Sequence, residues 1–324
     1  MTVRPCAYAG SFYPADPDSL LRMLEYFFSH GNKYKNKSVE EKNEKPSEII
    51  SEIRSEIRSE KRKSEQIPHI ATQVPKEAEA SEKTYGIITP HAGYIYSGQT
   101  AATGFCALGK KKNTPDPEFI GTIIIIGPGH KTPYSAVSAC EWETPLGNIS
   151  SDIQLASAIS KRSEISINEK VHLHEHGIEV LLPFVKYRFP NACIVAIQLG
   201  DQRLESSMAL GESIASCITD AGKRMGEDVY IVASSDGSHY ISHNEAKKID
   251  TYSLSALSKL DCYEFYERAK HTTMCGYGPT IAMVTAAKTC GAKQGVCLAY
   301  TTSGDVTGDQ THVVGYVALA VIKR

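Results

Sequence analysis

The sequence predicts an α/β protein whose central sheet, mainly parallel or mixed, is flanked by helices on both faces. Three observations carry this. Six short runs of apolar, β-branched residues recur along the chain without polar alternation, the pattern of strands buried on both faces. Stretches with helical spacing lie between them, and strand–helix alternation implies a layered domain. A charged segment, 33–83, departs so sharply in composition that the rest reads as an N-terminal arm plus an uninterrupted body from Thr84 to Arg324.

The predicted strands are YGIIT at 85–89, TIIIIG at 122–127, CIVAIQL at 193–199, VYIVA at 229–233, VCLAYT at 296–301 and VVGYVALAVI at 313–322. The predicted helices are 98–108, 152–161, 205–221, 245–259 and 279–289; Pro279, at a first helical position, is a start signal. The whole of 1–324 reads as one domain carrying the insertion 33–83.

That insertion holds 12 Lys or Arg and 11 Glu in 51 residues, with no Gly, no Cys and one aromatic, Tyr34. Its middle repeats SEII, SEIR, SEIR, SEKR over 47–62. A four-residue period drifts about 40° per repeat around a helix. It also places Glu48, Glu52, Glu56 and Glu60 one turn apart, which disfavours an isolated helix. The segment is expected to be solvated and disordered, with no part in the active site.

Over the full 324 residues, 35 Lys or Arg balance 37 Asp or Glu for a net charge of −2, without the basic footprint of a nucleic-acid binder. No window approaches the roughly 18 apolar residues of a membrane span. The start, MTVRPCAYAG, has no apolar stretch behind Arg4, so a secretory signal is not expected. Nine cysteines, at 6, 106, 140, 193, 217, 262, 275, 290 and 297, are odd in number, irregular in spacing and free of C-x-x-C. They read as reduced thiols of a cytoplasmic protein.

In open α/β sheets ligands bind beyond the carboxyl ends of the strands. Strand 85–89 runs into Pro90-His91-Ala92-Gly93-Tyr94, strand 122–127 into Pro128-Gly129-His130, and strand 229–233 into Ser234-Ser235-Asp236-Gly237-Ser238-His239. If these strands are neighbours, three imidazoles and the Asp236 carboxylate converge, and a metal site is the leading chemical reading; neutral imidazole suits Zn, Cu, Fe or Ni. A nucleophile set of Ser235, Asp236 and His239 lacks the G-x-S-x-G elbow. Cys275, in Met274-Cys275-Gly276-Tyr277-Gly278-Pro279, precedes a helix whose dipole favours the thiolate, as suits a metal ligand or reactive group. In His172-Leu173-His174-Glu175-His176-Gly177-Ile178-Glu179, His172 and His174 are expected at the surface. His176 and Glu179, one turn apart, could orient ligands by hydrogen bonds. Gly127-Pro128-Gly129 fits neither a dinucleotide fingerprint nor a P-loop.

At these residues the sequence resembles the Memo family (mediator of ErbB2-driven cell motility and its prokaryotic relatives). The matching segments are Ala9-Gly10-Ser11-Phe12-Tyr13-Pro14, Pro90-His91-Ala92-Gly93-Tyr94, Gly127-Pro128-Gly129-His130, Glu175-His176-Gly177-Ile178-Glu179, Ser234-Ser235-Asp236 with His239, and Cys275-Gly276. They follow the family's order and span the chain except 33–83, which has no counterpart in that resemblance. The resemblance implies a fold like that of the class III extradiol dioxygenases. It implies metal ligation by His91, His130 and Cys275, with His239 and Asp236 lining the same pocket. A thiolate then stands where those dioxygenases carry a carboxylate, and His₂Cys ligation favours copper, or iron in a different electronic state. Gly237-Ser238 replaces a bulkier pair, which would alter the pocket mouth. The resemblance further implies a redox role or the binding of phosphotyrosine peptides, and in prokaryotes a radical-SAM or AMMECR1-like partner.

Three readings follow from the residues and the resemblance. The first is an Fe- or Cu-binding redox protein, with His239 as acid–base and Asp236 setting its tautomer. The second is a non-catalytic module that binds a peptide or protein partner. The third is an extradiol-type dioxygenase using Asp236 or Glu179 as its carboxylate. No nucleic acid or membrane is expected among the partners.

Overall fold

The computed structural model describes residues 3–30, 83–111 and 113–323. The insertion therefore lies outside the described residues, apart from Lys83. In chain order the elements are β1 (Val3–Arg4), α1 (Pro17–His30), β2 (Lys83–Thr89), α2 (Tyr94–Phe105), β3 (Thr122–Pro128), β4 (Ala136–Ser138) and β5 (Glu141–Trp142). Next come α3 (Ile153–Ser163), the short α4 (Glu169–His172) and α5 (His176–Glu179), α6 (Leu182–Arg188), β6 (Cys193–Leu199), α7 (Leu204–Asp220), β7 (Val229–Ser234) and β8 (His239–Ile241). The chain continues through α8 (His243–Ser255), α9 (Cys262–Ala269), α10 (Tyr277–Thr289), β9 (Gln294–Thr302), α11 (Gly304–Thr307) and β10 (Val313–Lys323).

Among the described residues the main sheet has eight strands, in the order β4-β6-β3-β7-β2-β10-β8, with β9 also on β10. Its centre, β6-β3-β7-β2, is parallel. β4, β8, β9 and β10 join antiparallel, so the sheet is mixed. Every residue of β3, TIIIIGP, is buried. Ile124 and Ile126 face one hydrophobic cluster, with α3, α7 and α10, while Ile123 and Ile125 face the other, with α1, α2 and α6. The period-two alternation of a strand thus feeds both cores, at about 1.5–3 kcal/mol for each fully buried Ile.

All six predicted strands are present, each within a few residues of its expected bounds. The helix expected at 98–108 runs instead over Tyr94–Phe105, and two further helix boundaries move for local reasons. The Cys275 loop enters α10 at Tyr277, not Pro279, because Pro is tolerated throughout the first turn, where its missing N–H would have no partner. The stretch 245–259 divides after Ser255 into a tight turn that Leu260 ends in the left-handed region, φ 53°. The arm contains a helix that sequence reading left uncalled: α1 buries Leu20, Met23, Leu24, Phe27 and Phe28, a stripe at 3.6-residue spacing.

The arm begins as β1, which pairs parallel with β5 so that Arg4 lies beside Trp142. The Arg4 guanidinium sits 4.2 Å from the Trp142 ring centroid and donates to the His172 carbonyl at 2.9 Å. His172, expected at the surface, is fully buried by this docking, its ring 5.7 Å from Trp142; His174 is exposed, as expected.

Burial pushes His172 down from the usual 6.5 to about 4. Between these two values the unfolded chain takes a proton that the folded one refuses, so stability is full above about pH 6.5 and declines as pH falls towards 4. In urea titrations across this range His172→Leu should lose its share of the decline, at most about 3 kcal/mol; an unchanged pH profile would contradict the assignment.

Candidate metal centre

β3, β7 and β2 are adjacent and parallel, so their carboxyl ends share one edge of the sheet. His91 lies two residues past β2, His130 two past β3 and Asp236 two past β7. Cys275 arrives from the loop before α10. A Cβ on Gly276 would collide with Ser234 and Ser235, so only glycine lets this loop lie against the end of β7. The Gly276 amide donates to Ser235 Oγ at 3.0 Å, holding Cys275 in place.

The donor atoms of His91, His130 and Cys275 all lie within 4.8 Å of one another. Cys275 Sγ is 3.4 Å from His91 Nε2. Tetrahedral ligation at ordinary metal–nitrogen and metal–sulfur lengths needs donors about 3.5 Å apart, so this pair already fits. Exposure is graded: His91 is buried, Cys275 partly buried and His130 exposed.

Hydrogen bonds decide which nitrogen each imidazole presents. Ser234 gives its single hydroxyl proton to the Gly177 carbonyl, so it can only accept from His91 Nδ1, 2.7 Å away. His91 is therefore protonated at Nδ1, and the Nε2 lone pair faces Cys275. Glu175 Oε1 accepts from His130 Nδ1 at 2.7 Å and from the Gly177 amide at 2.9 Å, while Oε2 accepts from the His130 amide at 2.7 Å. Burial opposes the charge on Glu175, but the bonds from His130 and these amides prevail and hold it at about 2. An ionised carboxylate only accepts, so His130 also carries a proton on Nδ1, and Nε2 is the nitrogen left for a metal. A carboxylate–histidine pair of this kind orients metal-binding imidazoles.

Burial, with His130 alongside, pushes His91 down to about 3, which keeps the ring neutral. Cys275 was expected to have its thiolate favoured by the helix end. Burial and the nearby Asp236 instead push the thiol well up, and only a bound cation would reverse that balance. Asp236 is itself raised by burial. Its Oδ1 accepts from the His91 amide at 2.9 Å, and Oδ2 is 3.9 Å from His91 Nε2. The hydrogen bond expected from Asp236 to His239 is not made. His239 opens β8, its amide donating to Thr273 Oγ1 at 2.6 Å, and its buried Nδ1 makes no hydrogen bond among the described residues.

His176 is a third ring of the cluster. It stacks on His130 at 4.5 Å, stands 5.4 Å from His91 edge to face, and meets Phe12 of the arm at 4.9 Å. Burial, then His91 and His130, push it down to about 4. Glu179 orients no ligand: it accepts from Arg4 at 2.6 Å, the Tyr8 amide at 2.7 Å and the Tyr13 hydroxyl at 2.8 Å. Glu175, one residue before His176, holds that role. Gly237 fits because a Cβ there would lie 2.5 Å from Asp250 Oδ2, and Ser238 donates its hydroxyl to Asp250 Oδ1 at 2.7 Å. The roles of Glu175 and Ser234 were missed by sequence reading. The available signals were a Glu directly before His176-Gly177 and a serine closing the apolar run of β7.

Replacing Glu175 with Gln should weaken binding of Cu(I) or Fe(II) by about 10–100-fold while leaving the fold intact. Competition titration with a chromophoric chelator, read beside circular dichroism, checks this; wild-type affinity in the variant would contradict the role given to Glu175.

A family model described as Memo-like protein matches residues 57–320. A MEMO1 family protein of Methanococcoides burtonii is 40% identical over 247 residues, covering 74% of this chain and 88% of that one. MEMO1 family proteins of Methanococcus vannielii and Methanocaldococcus jannaschii are 33% and 34% identical over 328 residues, each covering 98% of this chain and 99% of the relative. Motif order, the two-imidazole and thiol cluster, and end-to-end similarity to these archaeal proteins agree, and the chain belongs to the Memo family.

Proposed function

We propose that this Memo-family protein is a redox protein that holds one Fe or Cu ion between His91 Nε2, His130 Nε2 and Cys275 Sγ. The observation that carries this reading is that each imidazole has an acceptor at Nδ1, Ser234 Oγ for His91 and Glu175 for His130, while a donor atom of each lies within 4.8 Å of Cys275 Sγ. Such an ion would supply one-electron exchange, and a thiolate with two imidazoles suits copper electron-transfer centres or thiolate-bound iron. His91 and His130 bind as neutral rings, and Glu175 and Ser234 keep them aligned. Cys275 gives up its proton on binding. In this reading His239, whose Nδ1 has no hydrogen-bond partner among the described residues, would give or take a proton from a bound ligand, with the Asp236 carboxyl nearby. A reduced, cytoplasmic setting belongs to this reading; all nine cysteines are unpaired, and no described helix is long and apolar enough to cross a membrane.

The dioxygenase reading would need a carboxylate ligand. Glu179 is committed to the arm, and Glu175 to His130 and Gly177, which leaves Asp236 alone.

Metal analysis of protein purified without oxygen or chelator should find about one Fe or Cu per chain, and Cys275→Ser should lose it. Equal metal in the variant would overturn the ligand assignment. Wild type that stays empty after reconstitution would overturn the redox reading.

A further inference from the structure

The segment that aligns both imidazoles is itself held by one residue of the N-terminal arm. Arg4 Nε donates to the His172 carbonyl at 2.9 Å, Nη2 to the Glu175 carbonyl at 3.1 Å, and Nη1 to Glu179 Oε2 at 2.6 Å and the Pro5 carbonyl at 3.1 Å. The short helix α5 is thus strung between two Arg4 contacts, one at the Glu175 main chain and one at the Glu179 carboxylate. Between those anchors lie the two groups that set the tautomers: the Glu175 carboxylate on His130 and the Gly177 carbonyl, through Ser234, on His91.

Arg4 is fixed in turn. It is only 4% exposed, its ring partner is Trp142, and its carbonyl accepts from the Glu143 amide at 2.9 Å within the β1–β5 pair. Tyr8 and Tyr13 reinforce the same segment: the Tyr8 hydroxyl donates to the His174 carbonyl at 2.6 Å, and both residues bond to Glu179. A four-residue helix has too few internal hydrogen bonds to hold itself, so its position is set from outside, by the arm on one side and by Ile178 packed against β3 on the other.

We propose that Arg4 is a positioning residue for the two-imidazole centre, holding residues 172–179 where Glu175 and Gly177 fix His130 and His91 as Nδ1–H tautomers. The consequence for metal affinity rests on the redox-centre reading above; the consequence for the tautomers does not. A guanidinium is required because its planar fork reaches two carbonyls and a carboxylate together, whereas a lysine ammonium would keep the ion pair and lose the fork.

The test uses full-length, metal-free protein with ¹⁵N-labelled histidine, comparing wild type, Arg4→Lys and Arg188→Lys. Arg188 is a buried arginine that donates to the Thr114 and Leu108 carbonyls, away from the centre, and so controls for lost stability alone. Wild type and Arg188→Lys, read at a pH where the rings are neutral, should show His91 and His130 as the Nδ1–H tautomer. Arg4→Lys should show mixed tautomers at one or both rings, and its affinity for Cu(I) should fall at least about tenfold, the low end for lost outer-shell support. Wild-type tautomers in a folded Arg4→Lys would overturn the proposal, whatever its melting temperature. If Arg4→Lys fails to fold, Glu179→Gln, which keeps an acceptor and loses the charge, is read in the same way. A wild type that binds no Cu(I) or Fe(II) would defeat the metal reading, and the tautomer populations would still decide the role of Arg4.

Discussion

Two acceptors on one three-residue stretch, the Glu175 carboxylate and the Gly177 carbonyl, orient both imidazoles of the centre. One acts directly on His130 Nδ1 and the other through the Ser234 hydroxyl on His91 Nδ1. The sheet brings β2, β7 and β3 side by side and so delivers the rings to one edge, but adjacency alone leaves each ring free to present either nitrogen. The tautomers turn a cluster of histidines into a directed donor set.

The electrostatics of the site point the same way. Burial lowers His91 and His176 and raises Asp236 and Cys275, so every one of these groups is pushed towards its neutral form. Glu175 is the exception, held ionised at about 2 by the hydrogen bonds it accepts. The pocket thus keeps His91 neutral through burial, with one fixed negative charge, Glu175, behind His130. It would favour a cation that replaces the Cys275 proton. The donors, two nitrogens and a sulfur, are of the kind that would suit a late transition metal or iron.

Much of this was legible in the sequence, because the signals are local. Continuous β-branched runs such as TIIIIG name their own secondary structure, and a His two residues past a parallel strand is a position on a known edge. What stayed illegible depends on partners far apart in the chain. Arg4 lies 175 residues from Glu179, and nothing near either one announces the pair. His172 and His174 share a local context, yet one is buried under the docked arm and the other exposed, a difference made by tertiary packing alone. Glu179 rather than Glu175 drew attention through its helical spacing from His176, whereas the functional bond runs from the residue before that helix. The thiol of Cys275 was judged by the nearby helix end, but desolvation outweighs it.

The central claim is that both imidazoles present Nε2, with Cys275 Sγ, to a single point. Anomalous diffraction from crystals loaded with Cu(I) or Fe(II) tests it most directly. One peak within bonding distance of His91 Nε2, His130 Nε2 and Cys275 Sγ is the predicted result. A peak bonded to His176 and Glu175 instead, the other set of donors within 4.8 Å of His130, would contradict it.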